Sequence, residues 1–246
     1  MTDAAATVHI GFIAAKCKPS PLRPQPEKAT LEWQAILGQM LMSLAEKDAP
    51  RSGEVRMAAG ADSPNLSETL ARAFHDDPVM LHFLPNPQGR HAKLARVFKL
   101  LFKLGRPYGA CYVTGHYEAA ALWRPPSQWH VHFWQYVVNG PELLGIFGAN
   151  ALNVMNTMDM VEKNHPKKPH WYLQVIGTDP AKQGKGFASL IMRDRLAAID
   201  AARMPAYLES SKRSNIPIYR NFGFEVTGEI NIPGGPTIWP MWREAR

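Results

Sequence analysis

Apolar residues recur along the chain at two periods, and each period predicts a different element. Over 28–47, Leu31, Trp33, Ile36, Leu37, Met40, Leu41 and Leu44 step by three and four, which predicts an amphipathic helix. The same spacing over 63–75 sets Leu66, Leu70, Ala73 and Phe74 on one face behind a Ser63 cap. Over 91–104 it sets Leu94, Val97, Phe98, Leu101 and Phe102 opposite Lys93, Arg96, Lys99 and Lys103, a solvated face. A long helix is expected over 184–203 and a short one over 214–221. The stretch 127–161, rich in aromatic residues and Met, reads as two helices separated near Gly140-Pro141. Shorter apolar runs predict strands at 54–58, 110–114, 119–123, 171–178, 206–210, 223–230 and 236–242, the second and third joined by a turn at Gly115. Strands alternating with helices predict an α/β (α+β) domain with helices on the faces of one sheet.

Four prolines in 18–26 make that stretch extended. With the helix that comes after it and the linker at Gly53, it sets 1–53 apart as an N-terminal extension to a domain at 54–246. A chain of 246 residues can bury one large core. Cys17 and Cys111 are the only cysteines, so neither a disulfide framework nor a cysteine-based zinc site is expected. His130 and His132 lack a third ligand, and no metal is expected. No apolar run approaches the ~18 residues of a membrane span. The N-terminus, with Asp3 and no basic segment, does not read as a secretory signal, so a cytoplasmic location is the expectation.

The net charge of +7 changes the picture only once it is divided. Residues 1–53 carry six basic and five acidic groups, 54–162 nine of each, and 163–246 thirteen and seven, so +6 of the excess lies in the last third. No run of like charges interleaved with aromatics occurs there, which speaks against a nucleic-acid partner. The last third does hold a turn, Gln183-Gly184-Lys185-Gly186-Phe187-Ala188, between a strand and a long helix. Glycines let backbone approach a ligand, and the first amides of a helix lack intrahelical partners and carry positive potential. Together they suit a pyrophosphate. Neither the G-x-x-x-x-G-K-[ST] loop nor a full dinucleotide fingerprint is present.

In this region the chain resembles the GCN5-related N-acetyltransferase (GNAT) superfamily. That family's acyl-CoA loop, [RQ]-x-x-G-x-[GA], is matched by Gln183, Gly186 and Ala188, with Pro180 three residues earlier. A second element, Asn215 with Tyr219 four residues on and then Gly223-Phe224, comes at the expected distance. The segment His165–Leu173, Tyr207-Leu208-Glu209-Ser210 and Pro233–Met241 look like the puromycin N-acetyltransferase branch.

The resemblance implies a central mixed, mostly antiparallel sheet of six to seven strands, splayed at the acyl-CoA site. It implies acetyl-CoA as co-substrate and the amine of a small molecule as acceptor, attacking the thioester directly. Ile176, Gly177 and Thr178 would lie along the pantetheine arm, and Gln183, Gly184, Lys185, Gly186, Phe187 and Ala188 would hold the pyrophosphate. Asn215 would bond the CoA arm and Tyr219 would protonate the leaving thiolate. Glu209 is the first choice of base, with His170 and Tyr172 as alternatives; His9 and His165 take no role. Lys182, Lys185, Lys212 and Arg213 would face the polyanion. The other readings are a protein or peptide N-acetyltransferase and a non-catalytic acyl-CoA sensor. The apolar 127–161 stretch favours a closed pocket and so the small amine.

Overall fold

The computed structural model describes residues 52–130 and 133–246, with Gln39 alone before them and only the backbone of 133–137. The proline-rich stretch 18–26 and all of the 28–47 helix but Gln39 lie outside the described residues. The chain divides into Met1–Ala49 and Pro50–Arg246. The second unit is built on one sheet.

Its eight described strands run in the order β1-β2-β3-β4-β5-β8-β6, with β7 paired to β8. The strands are β1 (Val55–Met57), β2 (Cys111–Thr114), β3 (Ala119–Arg124), β4 (Trp171–Thr178), β5 (Ala206–Ser210), β6 (Glu225–Val226), β7 (Ile230–Asn231) and β8 (Thr237–Arg243). All these pairs are antiparallel except β4 with β5. The expected strand at 223–230 is two short strands with Gly228 between them, which accounts for the eighth.

The helices are α1 (Ser63–Ala73), α2 (Pro78–Phe83), α3 (Arg90–Gly105), α4 (Phe133–Phe147), α5 (Ala151–Asn164), α6 (Phe187–Ala201) and α7 (Ile216–Arg220). Strand β3 shows why they sit on both faces. Every one of its residues is buried, and alternate side chains enter different cores. Ala120 and Leu122 join Leu66, Leu70, Phe98 and Phe102 of α1 and α3. Ala119, Ala121 and Trp123 join Ile191, Met192 and Leu196 of α6.

Three expectations are corrected. The 127–161 stretch does break into two helices, but α4 runs through Pro141 and ends at Gly148, whose φ of +57° leaves the helical region. A proline removes one amide bond from a helix, whereas a left-handed residue turns the chain. The long helix starts at Phe187 rather than 184, because Gly184 and Gly186 take φ of +77° and +82°. Helix α2 has no counterpart in the apolar pattern; Pro78 opens it, and the Asp77 carboxylate caps it by accepting from the amides of Val79 and Met80. Among the described residues no helix is long and apolar enough to cross a membrane.

Candidate active site

The site begins with an irregularity in β4. Against β3, Leu122 pairs with Val175 and Trp123 with Leu173, so Gln174 is an extra residue, a bulge. The packing shows its effect. Leu173 belongs to the α6 core and Val175 to the α1–α3 core, although residues two apart on a regular strand share a face. Strand β5 pairs with β4 only at Trp171, Tyr172 and Leu173. Beyond the bulge the two strands part, leaving one edge of 174–178 without a β5 partner and a cavity of about 650 Å³ between them.

One wall of the cavity is backbone. Ile176, Gly177 and Thr178 lead to Asp179, whose carboxylate accepts from the Ala181 amide and pairs with Arg72 at 2.8 Å. The 183–188 turn comes next, and no side chain caps α6. Gln183, Gly184, Gly186, Phe187 and Ala188 all line the cavity beside the first turn of that helix. A β-carbon on Gly184 or Gly186 would meet nothing within 4 Å, so what these positions demand is their left-handed backbone. Gly177 differs. A β-carbon there would lie 2.7 Å from that of Ala73, so this glycine lets α1 pack on the sheet.

The other wall is side chains. Asn215 and Tyr219 are one helical turn apart and both face the cavity. Burial, with the Asp77 charge second, pushes the Tyr219 phenol up to about 12, so it keeps its proton at neutral pH. Asp77 lines the cavity as well, accepts from Ser211 Oγ, and has its pKa raised by burial. Glu209, on β5 just past the last β4 pairing, lines the cavity at the mouth of the split. Its side chain is only 8 % exposed. Burial and then the Glu209 charge raise the phenols of Tyr172 and Tyr207.

The structure therefore gathers Ile176, Gly177, Thr178, Gln183, Gly184, Gly186, Phe187, Ala188, Glu209, Asn215 and Tyr219 around one space. Lys185 is exposed and does not line it. Of the cations expected to face a polyanion, Lys182 and Arg213 also stay outside, and Lys212 lines the cavity while paired to Asp76 at 2.8 Å. No described side chain of 127–161 lines it either. Among the described residues of that stretch, Val138, Leu144, Leu152 and Met155 are exposed.

Sequence reasoning passed over Asp77 and His165. Asp77 carried one legible signal, its place before Pro78 as a helix cap. His165 suggested no role, because apart from His170 and Tyr172 its partners Trp129, Tyr207 and Glu209 are distant in sequence. Its ring stacks on Trp129 at 3.7 Å between centroids, contacts Tyr172 and Tyr207, and meets Glu209 and His170.

Known proteins share this architecture. A solved structure from Corynebacterium glutamicum, described as histone acetyltransferase HPA2 and related acetyltransferase, superposes with a TM-score of 0.61 at 28 % identity, over 78 % of this chain and 96 % of its own. The fold is that of the GNAT acetyltransferases. An uncharacterized N-acetyltransferase of Schizosaccharomyces pombe is 27 % identical over 182 residues, 66 % of this chain and 70 % of its own. Arylalkylamine N-acetyltransferase 2 of Aedes aegypti shares the GNAT fold at 12 % identity with a TM-score of 0.53, over 78 % of this chain and 99 % of its own. No protein-family profile matches the chain. The relatives support the GNAT-type N-acetyltransferase superfamily and do not single out the puromycin branch.

Proposed function

We propose that the protein transfers an acetyl group from acetyl-CoA to the primary amine of a small molecule. The observation that carries this reading is a cavity that joins a free strand edge, a glycine turn before an uncapped helix, a protonated tyrosine and a buried carboxylate. The residues fit the donor. The unpaired edge of 174–178 offers amides and carbonyls to an extended amide arm, and Gly184 and Gly186 leave open space where side chains would stand. The first-turn amides of α6 suit a pyrophosphate.

When bound, the donor supplies an acetyl group activated as a thioester. The Glu209 carboxylate accepts a proton from the acceptor's ammonium, freeing the lone pair for attack. A backbone amide near Thr178 donates to the acetyl oxygen as its negative charge grows. The Tyr219 phenol donates its proton to the departing sulfur, and the proton shed by the acylated nitrogen restores it. A cavity of about 650 Å³ is of small-molecule size, and Glu209 and Asp77 favour a cationic acceptor.

The name of the Corynebacterium relative gives peptides a place in the test. The purified protein is incubated with acetyl-CoA and a panel of small amines, aminonucleosides among them, and lysine peptides, and free thiol is measured. Release driven by a small amine is the expected result. Release with peptides alone would replace the acceptor class, and release with neither would end the reading.

A further inference from the structure

Three contacts connect the cavity to a backbone carbonyl through two buried histidines. His170 Nδ1 lies 2.6 Å from the Lys168 carbonyl oxygen. The Nε2 atoms of His170 and His165 are 2.9 Å apart. His165 Nδ1 lies 3.3 Å from Glu209 Oε1. A carbonyl only accepts, so His170 Nδ1–H donates to it. Burial lowers the His170 pKa, which keeps the ring neutral and makes its Nε2 an acceptor. His165 Nε2–H then donates to it, and His165 Nδ1 faces a carboxylate oxygen of Glu209.

With one N–H on each ring, two imidazole protons serve three contacts. The lengths agree with the count. The two contacts that this count fills are the short ones, and Glu209 Oε1 at the longest, though buried, has no hydrogen-bond partner. Among the described residues no group of three ligands could hold a metal ion.

We propose that Glu209 works as a base together with His165 and His170, and that the vacant contact between Glu209 and His165 receives the proton taken from the acceptor amine. The proposal rests on the acetyltransferase reading for the source of that proton. One N–H bond of the ammonium breaks, its electron pair stays on nitrogen, and one O–H bond forms on Glu209. The proton then lies between Oε1 and Nδ1, and all three contacts are filled. It returns to water through the cavity after the product leaves. Glu209 is the catalytic residue; His165 and His170 are positioning residues that act through it. A lone carboxylate, with an ordinary pKa of about 4, is a poor base toward an ammonium, and a proton shared with a second acceptor is held more firmly.

The groups packed around these three residues come from several elements. Tyr172 of β4 and Tyr207 of β5 touch the His165 ring and face the Glu209 carboxylate, and burial and then that carboxylate keep both phenols protonated. Trp129, stacked on His165, also stacks on His130, which pairs with Glu162 of α5. Trp242 of β8 packs on His170, and the Lys168 ammonium lies 5.6 Å from the Trp242 ring. Arg124 of β3 acts on the Tyr172 phenol.

The first test needs no substrate. The full chain, labelled with 15N in histidine and 13C at the glutamate carboxyls, is titrated by NMR. One midpoint common to the Glu209 carboxyl and His165 Nδ1 is expected, with His170 Nδ1 protonated throughout. A Glu209 transition to which His165 does not respond would overturn the proposal, as would a His165 Nδ1 protonated at every pH. The second test is kinetic. His165→Gln should move the acidic limb of the kcat/KM profile down by about one pH unit and lower kcat about tenfold. A purely structural histidine would lower activity without moving the limb. If His165→Gln does not fold, the titration of the unaltered protein decides alone. Acetyl transfer without the shared midpoint removes the relay only; a shared midpoint without transfer to any amine removes the acetyltransferase reading only.

Discussion

The two halves of β4 differ in almost everything but their strand. Trp171, Tyr172 and Leu173 pair with β5, and Tyr172 among them meets the histidine cluster. After the bulge at Gln174, residues 175–178 lose β5 and present backbone to the cavity. The first half can tune charge, because rings and carboxylates there are buried together. The second offers amides and carbonyls, which suit holding the donor and, near Thr178, donating to the acetyl oxygen in the proposed reaction. On the proposed function, a single extra residue separates a chemical region from a recognition region.

That division can be broken from either side. The largest effect belongs to the chemical half. Glu209→Gln should lower kcat by about 10²-fold or more while leaving the Kd for acetyl-CoA nearly unchanged, read by thiol release and calorimetry. Tyr219→Phe should cost about 10- to 100-fold in kcat, again without weakening the donor. In the unaltered protein the phenol donates only while protonated. With its pKa raised to about 12, activity should not fall through Tyr219 until pH approaches that value, which a pH–rate profile checks. Activity retained in both variants would remove the division of labour.

Two glycines sharpen the comparison, because both line the cavity but for different reasons. Gly177→Ala sets a β-carbon against Ala73 and should destabilise the fold by about 1–3 kcal/mol, seen as a lower Tm. Gly186→Ala meets no neighbour but must hold a left-handed backbone. It should cost about 1–2 kcal/mol, part of it as weaker donor binding with kcat at saturation preserved. Lys185→Ala should do least, within about 0.5 kcal/mol of donor binding, since this lysine is exposed and outside the cavity lining.

The same two halves explain what the sequence discloses. The recognition half is local. Gln183 through Ala188 are contiguous, and their geometry comes from one turn; Tyr219, on the chemical side, was legible for the same reason, being four residues from Asn215 along one short helix. The sheet was legible for a like reason, since β3 and β4 carry long apolar runs. The chemical half joins Trp129, His165, His170, Tyr207 and Glu209 across separate segments. No spacing along the chain encodes a contact made by folding, so His165 reads as unpatterned. The bulge was silent as well, because Gln174 has no feature that marks an unpaired residue. Pro141 misled in the opposite direction, a strong local signal overridden by a helix that continues through it.

Backbone hydrogen exchange, read residue by residue along β4 with and without acetyl-CoA, tests the central claim most directly. Addition of the donor should protect alternate amides within 174–178, the edge that β5 leaves free, and leave Trp171–Leu173 unchanged. Equal exchange of 174–178 in both states, at donor concentrations that saturate the protein, would contradict it.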